Sequence, residues 1–395
     1  MQISSFVAAV CPDKLCGNRL DVPIFQALYV FCSQNNCSDG AYPYGALIID
    51  KAGNLYGTTS QGGASGLGTI FKLEPSSATY TVLHSFAGGS DGAEPYDSLI
   101  EDAAGNFYGT TAYGGGSTEC GTMGCGTVFK LAPDGTMTVL HAFCTKGKPP
   151  CKDGEVPMGS LVMDTKGNLY GTTAYGGVDQ EYCSCGIVFK LTADGKEDIL
   201  WSFAGDIDGL EPLSGLLMDK TGNLYGTTYY GGDSCDGVCG TVFKIKPDDI
   251  ESIEYPFCSQ YACADGSNPY AGLVADDAGN FFGTTEGAGA IYELTPKGSE
   301  SVLYSGEMGP AGLVLGAHGI LFGVTLGTIF EVSPGGAYTL LYSFAGGLDG
   351  SDAWATPILA KDVLYGTTVR GGSSGCGGGG CGTIYKFELD HAASR

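Results

Sequence analysis

The chain has 395 residues, 67 of them glycine and 16 cysteine, with 43 acidic side chains against 19 basic ones and a formal net charge of −24. That charge argues against binding nucleic-acid backbone or an anionic membrane surface, and glycine without a G-X-Y period excludes collagen. Apolar residues make up 43% of the chain, enough for a packed core, and no stretch approaches the roughly 18 apolar residues of a membrane helix.

The first 23 residues read as an extension. Their apolar run at 6–10 is too short for a secretion signal, and no basic segment precedes it. A strand-like run, FQALYVF, follows at 25–31 and ends at Cys32. From there one unit repeats seven times. Each opens with a short apolar run, 47–49 in the first copy, and turns through Asp-x-x-Gly-Asn, as at 50–54. Aspartate, asparagine and glycine in that order favour a tight hairpin.

The next run is NLYGTT at 54–59. It returns at 106–111, 168–173, 223–228 and 280–285, in worn form as ILFGVT at 320–325, and as VLYGTT at 363–368. A glycine-rich loop leads to the GTVFKL motif, which begins at Gly68, Gly126, Gly186, Gly240, Gly289, Gly327 and Gly382. Five copies keep its lysine (Lys72, Lys130, Lys190, Lys244, Lys386), and Glu293 and Glu331 replace it in two. A run like VLHSF at 82–86 closes most units. The runs are short and rich in Val, Ile, Tyr, Phe and Thr, which favours strands over helices.

Four short strands repeated seven times predict an all-β fold, a seven-bladed β-propeller in one domain over 24–390. The blades fall at about 44–86, 96–143, 158–203, 213–257, 270–305, 311–344 and 356–389, with a tail at 391–395. The seventh unit lacks a fourth strand, and 24–31 supplies one. The N-terminal strand is therefore expected to complete the last blade and remove the open sheet edges.

These motifs resemble the choice-of-anchor tandem-repeat GloVer family of bacterial secreted proteins, over nearly the whole chain from about Phe25 to Leu389. The resemblance implies export and life at the cell surface or outside the cell. It implies no substrate and no catalytic residues. The chain differs from the family pattern in showing no anchor segment after Leu389.

The cysteines fall into eight close pairs: Cys11 with Cys16, Cys32 with Cys37, Cys120 with Cys125, Cys144 with Cys151, Cys183 with Cys185, Cys235 with Cys239, Cys258 with Cys263 and Cys376 with Cys381. An even count in local pairs favours disulfides formed in an oxidising compartment. The Cys183–Cys185 bridge is the doubtful one, because a C-x-C bridge is strained. The rival expectation is zinc held by four thiolates from two pairs.

Propeller topology places the loops between strands two and three, and those leading into strand one, on one face. That face carries the length variation and nearly all the cysteine pairs, so binding is expected there. An Asp-Gly recurs in six lead-in loops, at Asp39, Asp91, Asp153, Asp208, Asp265 and Asp349. Two readings compete: a ring of carboxylates at the channel mouth able to hold Ca²⁺ or a cationic ligand, or turn aspartates capping backbone amides. Apart from that Ca²⁺, no cofactor is expected. Most of these turns are followed by proline and a large residue, as in Pro43-Tyr44, Pro95-Tyr96 and Pro269-Tyr270.

Tyr113, Tyr175 and Tyr230 stand before glycine pairs, with Tyr229 beside the last. They suit a platform for a sugar ring, or packing between blades. Glu119, Asp179, Glu181, Asp233, Asp236, Glu286, Trp354 and Arg370 break the repeat on the same face. His84 and His141 lie in outer strands and read as structural. No nucleophile, metalloprotease or phosphate-loop motif stands in a fitting context. The leading expectation is a secreted or surface-exposed, non-catalytic scaffold or recognition module that binds a glycan or extracellular protein. The alternatives are a polysaccharide hydrolase or lyase using a carboxylate pair, and a self-assembling surface or filament protein.

Overall fold

In the computed structural model, which describes residues 24–145, 151–177, 184–205, 207–232, 238–248, 250–372 and 375–389, the strands form seven four-stranded antiparallel sheets. Blade one contains Ile48–Ile49, Leu55–Thr59, Thr69–Glu74 and Thr79–Ser85, from the axis outward. Among the described residues the only helical pieces are three-residue 3₁₀ turns. Ile24–Val30 pairs antiparallel with Thr383–Glu388, placing Phe25 opposite Phe387 and Val30 opposite Thr383. It is the outer strand of the sheet that also holds Ile358–Ala360 and Val363–Thr368. The N-terminal strand closes the ring.

The repeat motif can be decoded residue by residue. The hairpin aspartate Asp50 accepts the amides of Ala52 at 2.8 Å and Asn54 at 2.9 Å on one oxygen, and the Tyr56 hydroxyl at 3.0 Å on the other. Asp102, Asp164 and Asp219 repeat this arrangement. Burial opposes ionisation at Asp219, but its hydrogen bonds from Asn223 and Thr221 outweigh it and hold the carboxyl down to about 2. Gly57 leaves room for the ring beneath it: a Cβ there would lie 2.7 Å from Cζ of Phe71. The lysine of GTVFKL lies over the motif tyrosine in three blades, with Nζ 5.1 to 5.7 Å from the ring centre.

The two threonines of NLYGTT do different work. Thr59 pairs with Thr69 across its own blade at 2.8 Å. Thr58 reaches the next blade and donates to the main-chain oxygen of Asp97 at 3.0 Å. Thr110, Thr172, Thr227 and Thr284 make the same bond to Gly159, Ser214, Ala271 and Ala311, and Thr367 donates to Pro43, two residues before the equivalent Gly45. At the remaining junction Val324 stands in the threonine position, and Thr356 of blade seven instead accepts the amide of Gly312 at 3.0 Å.

A second ring of contacts runs outside the first. In six blades the last phenylalanine inserts edge-on against an aromatic ring in the third strand of the next. Phe31 meets Phe71, Phe86 meets Phe129, Phe143 meets Phe189, Phe203 meets Phe243, Phe257 meets Tyr292 and Phe344 meets Tyr385, with ring centres 4.9 to 5.4 Å apart. These rings are fully buried, apart from Phe344. Gly306 takes the place of this phenylalanine in blade five.

Five disulfides lie among the described residues: Cys32–Cys37, Cys120–Cys125, Cys144–Cys151, Cys258–Cys263 and Cys376–Cys381. Cys185 and Cys239 are also disulfide-bonded. Cys183 and Cys235, and the pair Cys11 and Cys16, lie outside the described residues. The gathering of four sulfurs that a zinc site would need occurs twice among the described residues, at Cys120, Cys125, Cys144 and Cys151 and at Cys32, Cys37, Cys376 and Cys381, but in each place the sulfurs form two disulfides.

Candidate functional site

The lead-in loops build the working face from a clamp that recurs in six blades. Tyr42, Glu94, Val156, Glu211, Asn268 and Asp352 all have left-handed backbone, with φ between 54° and 59°. Such backbone costs a non-glycine residue about 1–2 kcal/mol, so something must hold it. The amide of each bonds to the preceding blade, from Tyr42 to Cys381, from Glu94 to Leu67 and from Val156 to Cys125. The carbonyl of each accepts from its own blade, as Ser60 to Tyr42 and Ala112 to Glu94. Four of the six carbonyls that accept the clamp amides belong to disulfide-bonded cysteines: Cys381, Cys125, Cys185 and Cys239.

Two residues beyond each clamp, one side chain turns toward the axis. These are Tyr44, Tyr96, Met158, Leu213, Tyr270 and Trp354, with Pro310 in the clamp-less sixth blade. They line a cavity of about 250 Å³ at the centre of the ring. The rings form a connected series. Trp354 meets Tyr44 at 5.5 Å and Tyr270 at 6.1 Å, nearly perpendicular to both. Tyr44 meets Tyr96 at 5.3 Å. Tyr229 continues the series, 5.9 Å from Tyr270 and 4.6 Å from Tyr230. Tyr113 lies close enough to Tyr96 and Tyr175 to act on both phenols. All of these rings are half-buried except Tyr175, which is exposed.

Charged groups rim the rings. Glu94 accepts the Tyr96 hydroxyl at 3.0 Å, and Glu286 accepts that of Tyr229 at 3.2 Å. Arg370 lies 3.3 Å from Asp352 and acts on the Tyr44 phenol. Burial raises the Glu211 carboxyl. Within the cavity wall stands one carboxylate, Asp97. Burial raises it to about 6, against the amides of Ser98 and Ser160, which lower it. The other six blades place Gly45, Gly159, Ser214, Ala271, Ala311 and Ala355 at the same position.

The six Asp-Gly aspartates are elsewhere. None is among the residues lining the cavity. Each folds back on its own loop beneath the outermost strand. Asp39 accepts the Ser33 amide at 2.9 Å and the Tyr29 hydroxyl at 2.7 Å, and Asp265 repeats this with Ser259 and Tyr255. Asp91 binds His84 and the Ala87 amide, Asp208 binds Trp201 and the Ala204 amide, and Asp349 binds Tyr342 and the Ala345 amide. Asp153 accepts the Cys144 amide at 3.0 Å and lies 3.8 Å from His141. The capping alternative describes their hydrogen bonds, and the carboxylates do not gather at the mouth.

A bulge aims the partners of these aspartates. In every blade the fourth strand carries one extra residue, such as Leu83, directly before the His84-type side chain. Among the residues that break the repeat, Glu119 is exposed on its loop. Asp179, Glu181, Asp233 and Asp236 lie outside the described residues. The sequence reading missed Asp97 and did not assign Tyr44, Tyr96 and Tyr270 to a site.

Fold and site together define a seven-bladed β-propeller with an aromatic-walled axial cavity on its disulfide-stapled loop face. The chain belongs to the Gloeobacter/Verrucomicrobia repeat family, which matches residues 22–239 and 119–326. No curated protein sequence matches it. Among solved structures it is similar to virginiamycin B lyase from Staphylococcus aureus, at 11% identity and a TM-score of 0.61, covering 93% of this chain and 99% of that one. It is similar also to a streptogramin B lyase, at 15% identity and a TM-score of 0.62, over 93% and 98% of the two chains. The extracellular domain of a putative one-component system from B. thetaiotaomicron matches at 10% identity and a TM-score of 0.57, covering 92% of this chain and 39% of that one. These likenesses concern the fold.

Proposed function

We propose that the protein is an exported recognition module that binds the end of a glycan at the aromatic mouth of its axial cavity. The observation that carries this reading is the connected series of half-buried rings, Tyr96, Tyr44, Trp354, Tyr270 and Tyr229, set around an open cavity. Aromatic faces held rigid by a clamped backbone lose little entropy on binding and offer flat apolar area to a sugar ring. The cavity of about 250 Å³ is smaller than the roughly 300–1,000 Å³ of drug-sized sites. It suits one terminal residue rather than a threaded chain. The disulfides favour folding in an extracellular or periplasmic compartment. No described helix is long and apolar enough to cross a membrane.

The hydrolase reading needs two carboxylates about 5–10 Å apart across the scissile bond. Of the residues lining the cavity, Asp97 alone carries a carboxylate, which favours binding over turnover. The test is a screen of immobilised glycans for binding, paired with reducing-sugar release on the same glycans. Binding without release supports the reading. Release that Asp97→Asn abolishes overturns it.

A further inference from the structure

We infer that the glycan end this cavity takes carries a positive charge: an amino sugar with a free ammonium group. The inference rests on the glycan reading above and adds the chemistry of the group bound.

The position of Gly45 holds a small residue in six blades and an aspartate, Asp97, in blade two; at that position Asp97, Ser214, Ala271 and Ala355 line the cavity. A turn or packing role would not demand a carboxylate there, since glycine, serine and alanine serve the other six blades. No lysine, arginine or histidine lines the cavity, and no ion pair among the described residues includes Asp97. The hydrogen bonds it accepts come from the main-chain amides of Ser98 and Ser160. A half-buried carboxylate without a counter-charge is costly unless a ligand supplies one.

The rings point the same way. Tyr44 and Tyr270 flank Trp354 at nearly right angles. Aromatic faces around a single carboxylate attract cations through the ring quadrupole and the charge together. Asp97 also acts electrostatically on the Tyr270 phenol, so the carboxylate and the rings share one space. A net charge of −24 raises the local concentration of any cationic ligand before it docks. An N-acetylated or neutral sugar would use the rings and leave Asp97 without a partner.

The experiment titrates the full-length, oxidised protein at pH 6.5 with a glucosamine oligosaccharide and with its N-acetylated form of equal length. The wild type should bind the amino form about tenfold more tightly, the scale of one charge-assisted contact. Asp97→Asn should bring the two affinities together by weakening the amino form alone. Asp97→Ser, which copies Ser214 at the equivalent place in blade four, keeps the test valid if the asparagine variant misfolds. Asp277→Asn, an exposed change in a hairpin turn, should leave the ratio unaltered and so exclude a general effect of acidity. Equal binding of the two sugars by the wild type, or a preference that survives both Asp97 changes, overturns the inference while leaving the glycan reading in place. Binding of neither sugar counts against both, and loss of both on Trp354→Ala supports the glycan reading alone.

Discussion

Ring closure makes Phe31 a core residue of two blades at once, and its removal should cost as much as removal of its counterpart in an interior junction. Phe31 is fully buried and meets Phe71 of blade one at 5.3 Å, while Tyr29 beside it stacks on Tyr80 at 3.9 Å. Phe86 is equally buried and meets Phe129 at 5.4 Å. Truncating a buried phenylalanine to alanine costs about 3–5 kcal/mol. Phe31→Ala and Phe86→Ala should therefore lower the urea midpoint by similar amounts, followed by circular dichroism at constant protein concentration. An accessory strand laid against a ring already closed without it would behave differently: Phe31→Ala would cost less than about 1 kcal/mol while Phe86→Ala kept its full effect. That result would refute closure by the N-terminal strand.

Three further outcomes follow from the same structure. Thr172→Val should cost about 1–3 kcal/mol in urea denaturation, because it leaves the Ser214 oxygen without its 3.0 Å partner in a buried junction; an unchanged midpoint would remove the threonine ring from the account. Burial raises Glu251 and Glu300 to about 7, helped at Glu251 by Asp208 and Glu254 and at Glu300 by Asp265. The folded state then holds protons that the unfolded chain releases above about 4.5, so these groups cost stability as pH rises from about 4.5 through about 7, and the loss levels off above that. Glu251→Gln and Glu300→Gln should raise the melting temperature at pH 8 and change it little near pH 4; no gain at pH 8 would contradict the assignment. Thiol titration of the denatured, unreduced protein should find Cys32, Cys37, Cys120, Cys125, Cys144, Cys151, Cys258, Cys263, Cys376 and Cys381 unreactive, and free thiols together with bound zinc would overturn the disulfides.

Blade count, strand order and the closing strand were legible because hairpin chemistry is local. Asp50 and Asn54 specify their turn within five residues, and the turn then fixes which apolar runs pair. The contacts between blades were not legible in the same way. Thr58 and Asp97 are 39 residues apart, and nothing in NLYGTT says that one hydroxyl serves its own blade while the other serves the next. The Asp-Gly aspartates misled for a related reason. Their spacing suggested a ring at the axis, but the bulge in each fourth strand turns a Tyr29-type or His84-type partner toward them, and that bulge leaves no mark in composition. The site itself was half visible. Tyr44, Tyr96 and Tyr270 stood out as large residues after proline, but their direction depends on the left-handed clamp residue before the proline, which sequence does not announce. Asp97 could have been found by aligning the lead-in segments on the leucine that follows in six blades, with Pro357 in its place in blade seven; it is the single charge in a column of glycine, serine and alanine.

The central claim is that rings at the axis bind a sugar. A direct calorimetric titration of a bound oligosaccharide against wild type and Trp354→Ala tests it. Trp354 touches both Tyr44 and Tyr270, and losing one stacked ring typically costs about 1–2 kcal/mol of contact plus the order it imposes on its neighbours. The account predicts at least about a tenfold loss of affinity with an unchanged melting profile. Full affinity in Trp354→Ala, with the fold intact, would place the ligand elsewhere on the propeller and contradict the account.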